Sequence, residues 1–281
     1  MSRKVYLQYL KTLVKQLIHR PQFSTSDVKV GRCSYFGRNV RFNCRRVRIG
    51  DGVIFQDNIR VDATDFEIGD YGTVYFGCFF PGPGKVQIGH NCWIGSNALI
   101  DSQGTTTIGN NVCIGVQSQL WTHMKFGDIV AGCRFNYTAP IKIGDDVWLG
   151  AHNLVSPVSI GDRSLTMLGS LITKDIPSDR TYAGAPATDQ TNRFGSQFSE
   201  TSTEYRMDKI NNMLNKFAQK FEINNISNYV DICSMLPNDW NGKKTMIAVS
   251  SRNYYKTGSI IEILLMRYLL PDAKYIPAKY S

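Results

Sequence analysis

Apolar side chains recur at every sixth position through the first two thirds of the chain, in phase with a dipeptide of valine or isoleucine followed by glycine. The dipeptide occurs at Val30-Gly31, Ile49-Gly50, Ile68-Gly69, Ile88-Gly89, Ile108-Gly109, Ile143-Gly144 and Ile160-Gly161. Stepping by six from each gives triplets such as Ile49/Phe55/Val61, Ile88/Ile94/Ile100 and Ile108/Ile114/Leu120, and all but Thr166 of the twenty-one positions are apolar. Three equal steps and a return to the same phase describe a coil with three flat sides. Each side is a short strand, and strands of successive coils stack as parallel ladders about 4.8 Å apart, so the repeat predicts a triangular prism filled by its own anchors. An ordinary β-sandwich would instead alternate with period two. Two residues before the anchors, Cys92, Ala98, Thr106, Val112 and Ser118 are small enough to fill the narrow interior that remains. Glycine after each anchor is expected to serve a corner whose φ a β-carbon resists.

The spacing between anchors is 19, 19, 20 and 20 residues, then 35 from Ile108 to Ile143, then 17. One coil therefore carries an insertion, a loop over 121–140 entered after Leu120, and long loops on rigid scaffolds are commonly functional. Outside the repeat, residues 3–20 place Leu10, Leu13, Val14, Leu17 and Ile18 on one helical face among Lys4, Lys11, Lys15, His19 and Arg20. This short basic amphipathic helix either caps the open end of the solenoid, the favoured reading, or touches an anionic membrane surface or glycan. Beyond residue 200 the pattern predicts a helix at about 203–222, a strand near 245–250 and an apolar helix at about 258–270. The organisation is thus an N-terminal helix in 1–27, seven triangular coils in 28–187, and a linker with an α/β or helical appendage in 188–281.

With 42% hydrophobic and 20% charged residues in 281, the composition is globular and excludes disorder for most of the chain. The net charge of +9 would suggest nucleic acid, but residues 1–48 alone carry +11 and the remainder −2, so the excess is terminal. Nucleic acid is not an expected partner. Arg32, Arg38, Arg41, Arg45, Arg46 and Arg48 carry the basic character onto the first coils and could attract an acidic polysaccharide. The seven cysteines are odd in number, scattered and never spaced as CxxC, which fits a reducing cytoplasm and no zinc knuckle. Neither secretion nor membrane spanning is expected, since the first twenty residues hold no uninterrupted apolar run before a small-residue cleavage site and no run in the sequence is long enough to span a bilayer.

Of the four histidines, only His123 lies on the inserted loop, just past a corner. A neutral imidazole can accept a proton from a hydroxyl as that oxygen attacks a carbonyl, provided its second nitrogen is held by an acceptor. Asp101 follows Ile100 as Trp121 follows Leu120, so stacking puts Asp101 one coil below Trp121, where it could orient His123 or bind an acceptor hydroxyl. Asp62 occupies the same corner column and Asp128 lies in the loop; both are further candidates for binding substrate. Trp121 could stack on a sugar ring or anchor the loop. Trp148 should point outward, against a neighbouring subunit.

The stretch Ile143-Gly144-Asp145-Asp146-Val147-Trp148-Leu149-Gly150-Ala151-His152, with Gly169-Ser170-Leu171-Ile172-Thr173-Lys174-Asp175-Ile176-Pro177 and Ala183-Gly184-Ala185-Pro186-Ala187, resembles the hexapeptide-repeat acyltransferases, in particular their galactoside, maltose and serine O-acetyltransferase group. The resemblance covers roughly residues 28–187. It implies a left-handed parallel β-helix, a homotrimer with active sites between subunits, and a catalytic histidine at the place of His123. It further implies acetyl-CoA as donor, with Gly150 and Ala151 near the thioester, Gly169 and Ser170 along the pantetheine arm, and Thr173 and Lys174 near the nucleotide phosphates. Thr188 departs from the Lys or Arg common two residues past the proline, which leaves an acyl carrier protein open as donor.

The function expected is O-acetylation of a sugar hydroxyl in a bacterial surface polysaccharide, by a cytoplasmic enzyme at most peripheral to the membrane. N-acetylation of an amino sugar or nucleotide-sugar is the near alternative, and an inactive β-helix scaffold a further one. Carbonic anhydrases of the γ type share the fold but bind zinc with two histidines five residues apart. Here His152 is followed at that distance by Pro157, so no metal is expected.

Overall fold

A computed structural model describes residues 2–278; residue 1 and residues 279–281, the outer ends of the two flanking segments, lie outside the described residues. The chain forms two compact units, one of residues 19–199 and one joining the residues up to Ile18 with those from Glu200 onwards.

Residues 19–199 wind into a left-handed parallel β-helix. Its first side has seven strands from Val28–Val30 to Ser159–Ile160, its second nine ending at Thr188–Asp189, and its third eight from Gln22–Phe23 to Leu171–Ile172. Pairing starts earlier than the repeat implies: Gln22 and Phe23 pair with Arg41 and Phe42, and the Phe23 ring stacks on Phe42 at 5.1 Å. The ladders hold the expected register, Ile88 with Ile108, Ile94 with Ile114 and Ile100 with Leu120. All the anchors from Ile49 to Ile172 are buried, as are the small residues Cys92, Ala98, Thr106, Val112 and Ser118. Toward the N-terminal coils the interior is aromatic instead. Phe42, Phe55, Phe66 and Phe80 form a run of ring contacts between 5.4 and 6.2 Å, with Phe66 filling the position that the next two coils give to Val86 and Thr106.

The glycines that follow the anchors serve another purpose than the expected one. They are absent from the positive-φ residues, which instead fall two positions later, at Cys33, Gly52, Tyr71, Asn91, Asn111, Asp146 and Arg163. What excludes a side chain is crowding between coils: a β-carbon on Gly31 would lie 2.4 Å from the backbone of Gly50, and one on Gly69 2.8 Å from Gly89. The same corner carries a ladder of side-chain acceptors. Asp51 accepts from the Arg32 amide, Asp70 from Asp51, His90 from Asp70, Asn110 from His90, Asp145 from Asn110 and Asp162 from Asp145, at 2.6 to 2.9 Å. Each coil thereby satisfies a turn amide of the coil before it, which offsets the loss of water from those groups.

The second unit contains α1 (Arg3–Ile18), α3 (Thr203–Phe221), α4 (Ile260–Leu269) and a four-stranded sheet; the short α2 (Thr191–Phe194) belongs to the first unit. The helices at 203–222 and 258–270 and the strand Thr245–Ala248 lie where the pattern predicts them. Val230–Cys233, Asn253–Tyr255 and Ile276–Pro277 complete the sheet. Ser202 and Ser259 cap α3 and α4 by accepting from Tyr205 and Glu262 amides. Helix α1 packs beside α4 and buries Val5, while Lys4 pairs with Glu222 at 2.9 Å. No described helix is long and apolar enough to cross a membrane.

Candidate functional site

In the coil that carries the insertion the third-side strand is Gln119–Leu120, and the chain then leaves the prism at Trp121. The insertion is a two-stranded antiparallel ribbon rather than an irregular loop, with His123–Lys125 paired to Asn136–Thr138 and His123 opposite Thr138. Its root is fixed by Ala139, whose amide donates to the Thr122 carbonyl at 2.9 Å. His123 therefore sits where the ribbon meets the corner, its side chain 29% exposed.

One coil below, Asp101 donates its amide to the Leu120 carbonyl at 2.9 Å, and its carboxylate turns up toward the ribbon root. The Asp101 side chain is 1% exposed, and its Oδ2 lies 2.7 Å from Nδ1 of His123. The same oxygen accepts from the Thr122 amide at 2.9 Å and from the Thr122 hydroxyl, while Oδ1 accepts from the Gln103 amide at 3.2 Å. Burial pushes the Asp101 carboxyl upward, but the donors from Thr122, His123 and Gln103 outweigh it and hold the group below the usual carboxylate range. An ionised Asp101 fixes the tautomer: Nδ1 of His123 carries the proton and donates it to the carboxylate, leaving Nε2 as the acceptor. Trp121 packs edge-on against the imidazole, ring centres 5.9 Å apart, and its indole N–H donates to Gln119 at 2.9 Å.

The structure thus brings together His123, Asp101 and Trp121. Asp62 and Asp128 lie elsewhere. Asp62 stands two coils below Asp101 and holds Arg60 at 2.6 Å and the Asn43 amide group at 2.6 Å. Asp128 is a turn residue of the ribbon, accepting from the Val130 and Ala131 amides. Thr122, which the sequence marks only as the residue before His123, has a role of its own. It is fully buried, spends both its donors on Asp101 and accepts from the Gly104 amide at 2.9 Å. The only signal for it was its place between the end of a ladder strand and His123.

Gly150, Ala151, Gly169 and Ser170 occupy a different corner, between the second and third sides, and Thr173 and Lys174 return to the corner of Trp121, two coils above it. Gly150 has no room for a side chain, its β-carbon position lying 2.8 Å from the Thr166 carbonyl, whereas Gly169, at φ +68°, faces open space. Ser170 turns its hydroxyl inward onto the Met167 carbonyl at 2.8 Å and is fully buried, so it offers a ligand only backbone. Thr173 and Lys174 are exposed. His90 is a link of the corner ladder and His152 an exposed turn residue at φ +58°. Among the described residues no group of three or more His, Cys, Asp or Glu is arranged to hold a metal ion. The basic first coils are largely paired internally, Arg38 with Asp57, Arg45 and Arg46 with Asp65, and Arg48 with Asp27.

A three-sided left-handed β-helix with a carboxylate-clamped histidine at the root of a ribbon defines the class. Comparison with known proteins agrees: the family model described as the hexapeptide repeat of succinyl-transferase matches residues 85–116 and 140–173, the coils on either side of the ribbon. The chain carries the fold of the hexapeptide-repeat acyltransferase family. It is 34% identical over 111 residues to the galactoside O-acetyltransferase of Escherichia coli (strain K12), a match covering 38% of this chain and 54% of that protein. It is 37% identical over 81 residues to a UDP-3-O-acylglucosamine N-acyltransferase of Campylobacter curvus (strain 525.92), covering 27% of this chain and 26% of that one. The chain therefore spans about half, or less, of these relatives' lengths. The solved structure of a polysialic acid O-acetyltransferase aligns with 69% of this chain and 98% of its own, at 18% identity and a TM-score of 0.49.

Proposed function

We propose that this protein transfers an acetyl group from acetyl-CoA to a sugar hydroxyl, within a bacterial surface polysaccharide, with His123 as general base. The observation that carries the reading is the clamp on Nδ1 of His123 by a buried carboxylate, 2.7 Å away, which leaves Nε2 as the nitrogen that can accept a proton. In the reaction Nε2 takes the proton of the acceptor hydroxyl as its oxygen attacks the thioester carbonyl. The tetrahedral intermediate collapses with cleavage of the C–S bond, and the imidazolium returns the proton to the departing thiolate. No covalent enzyme intermediate forms, so proximity and the base share the work. Asp101 acts through His123 as a positioning residue, and Trp121 offers an aromatic face to the sugar. For the donor, Gly150, Ala151, Gly169 and Ser170 would supply the backbone of one corner, where Gly169 faces open space, and Lys174 a cation for phosphate.

The donor corner and the His123 corner border the third side from opposite edges, so one chain does not unite Gly150 with its own His123. A homotrimer in which a neighbour's corner completes each site follows from this reading, in the cytoplasm where acetyl-CoA is available. The match to an N-acyltransferase favours a second acceptor, the amine of an amino sugar. The test is thiol release from acetyl-CoA with a panel of acidic glycans, neutral glycans and amino sugars, for wild type and His123→Ala. Acceptor-dependent release that falls about 10²- to 10⁴-fold in the variant supports the reading. Unchanged release in the variant, or none with any acceptor from intact trimers, overturns it.

A further inference from the structure

We propose that α1 is a surface-seeking helix that lays the protein on an anionic lipid bilayer. This goes beyond the acyl-transfer reading and does not depend on it. The argument begins with which way the helix faces. At 100° per residue, Val5, Tyr9, Thr12 and Gln16 share one face, and that face, only partly apolar, is turned inward, with Val5 fully buried. The opposite face carries Tyr6, Leu7, Val14, Leu17 and Ile18, and all five are exposed. Val14 is 52% exposed, Leu17 69% and Ile18 62%. Leu10 and Leu13 are partly buried alongside Thr12 and Gln16, but Leu7, Val14, Leu17 and Ile18 face water and leave an apolar surface awaiting a partner.

Charge selects the partner. Arg3 lies within the apolar stripe, and Lys4, Lys11 and Lys15 line one flank of it at positions i, i+7 and i+11, Lys4 also pairing with Glu222; the helix itself contains no acidic residue. Two such helices packed antiparallel, stripe to stripe about a twofold axis perpendicular to them, would bring these flanks side by side, like charge against like. An anionic lipid surface takes both features together, the stripe in the acyl boundary and the lysines among the headgroups. Sixteen residues give a helix about 24 Å long, a length suited to lying in the interface plane.

The test uses the full chain and vesicles of phosphatidylcholine alone or with 30% phosphatidylglycerol, in a co-sedimentation assay. Wild type should bind the anionic vesicles at 0.1 M salt, bind neutral ones at least tenfold more weakly, and be released at 0.5 M salt. Leu17→Glu with Ile18→Glu should reduce binding at least tenfold with an unchanged circular dichroism spectrum. Lys11→Glu with Lys15→Glu should cost about fivefold per residue and abolish the preference for anionic lipid. Binding that is equal for both vesicle types, absent at low salt, or unaffected by the Leu17/Ile18 substitutions overturns the proposal. So does an assembly in free solution that the same substitutions dissolve, which would make the stripe a contact between copies.

Discussion

Asp101 is asked to stay ionised while almost wholly withdrawn from water, and it does so because four donors from its own coil and the next converge on it. Replacing it by asparagine keeps the volume but puts an amide where a full negative charge held Nδ1–H. Asp101→Asn should lower kcat about ten- to a hundredfold with little change in KM, and the ¹⁵N shifts of His123 should show the proton redistributed between its two nitrogens. A change in KM alone would remove Asp101 from the positioning role. The depressed pKa also fixes the sign of a pH effect. A carboxyl whose folded value lies below its unfolded value of about 3.9 contributes stability that is complete above that value and is lost as pH falls through the folded one. The stability gap between wild type and Asp101→Asn, read by urea unfolding, should therefore narrow as the pH drops below about 4; a gap that widens would mean the carboxyl is not depressed. Thr122→Val removes one donor from the same oxygen and should cost roughly 1 to 2 kcal/mol. The placement of Asp101 under the ribbon root was legible from ladder register alone, because a stacked repeat converts sequence spacing into adjacency. Thr122 was not, since a buried threonine and an exposed one look alike until the strand end is known, and Asp62 and Asp128 had the right residue type but are spent on an arginine and a turn.

At the level of the element, the anchors and their sixfold spacing predicted every side of the prism, yet the reason for the following glycines was misjudged. Their hydrogens face the backbone of the next coil, and the left-handed conformation falls two residues on, mostly on residues other than glycine. The ribbon escaped notice because both of its faces are largely exposed, so its strands carry no alternation to read. The extra strands of the second unit are three or four residues long or shorter, too short for periodicity to register. Burial inside the prism also sets thiol reactivity. It pushes the Cys44 and Cys78 thiols up to about 11 and Cys92 to about 12. At pH 8 an aromatic disulfide reagent should leave these three untouched in the native protein and label them only on unfolding; rapid labelling of Cys92 would show the interior opens.

For the whole molecule, the net charge of +9 says less than its pairing does. Internal ion pairs consume much of the basic cluster on the first coils, so any pull on an acidic glycan is carried by the remainder, including Arg41, whose side chain is exposed beside the strand of Arg60. If an acidic polysaccharide is the acceptor, transfer to it should weaken between 0.05 and 0.5 M salt far more than transfer to a neutral sugar; equal sensitivity would dismiss steering.

The amide-to-side-chain ladder along the first corner, together with glycines that admit only backbone against backbone, makes the prism a screw thread. A thread lengthens or shortens by whole turns, and its coils of 17, 19 and 20 residues differ only in what their corners hold. Losing one residue from a side strand between Asp101 and Leu120 would turn the anchor that follows it to solvent and shift His123 off the carboxylate beneath it. Losing the turn 49–67 would join Arg48 to Ile68 in phase and leave the same molecule, one thread shorter.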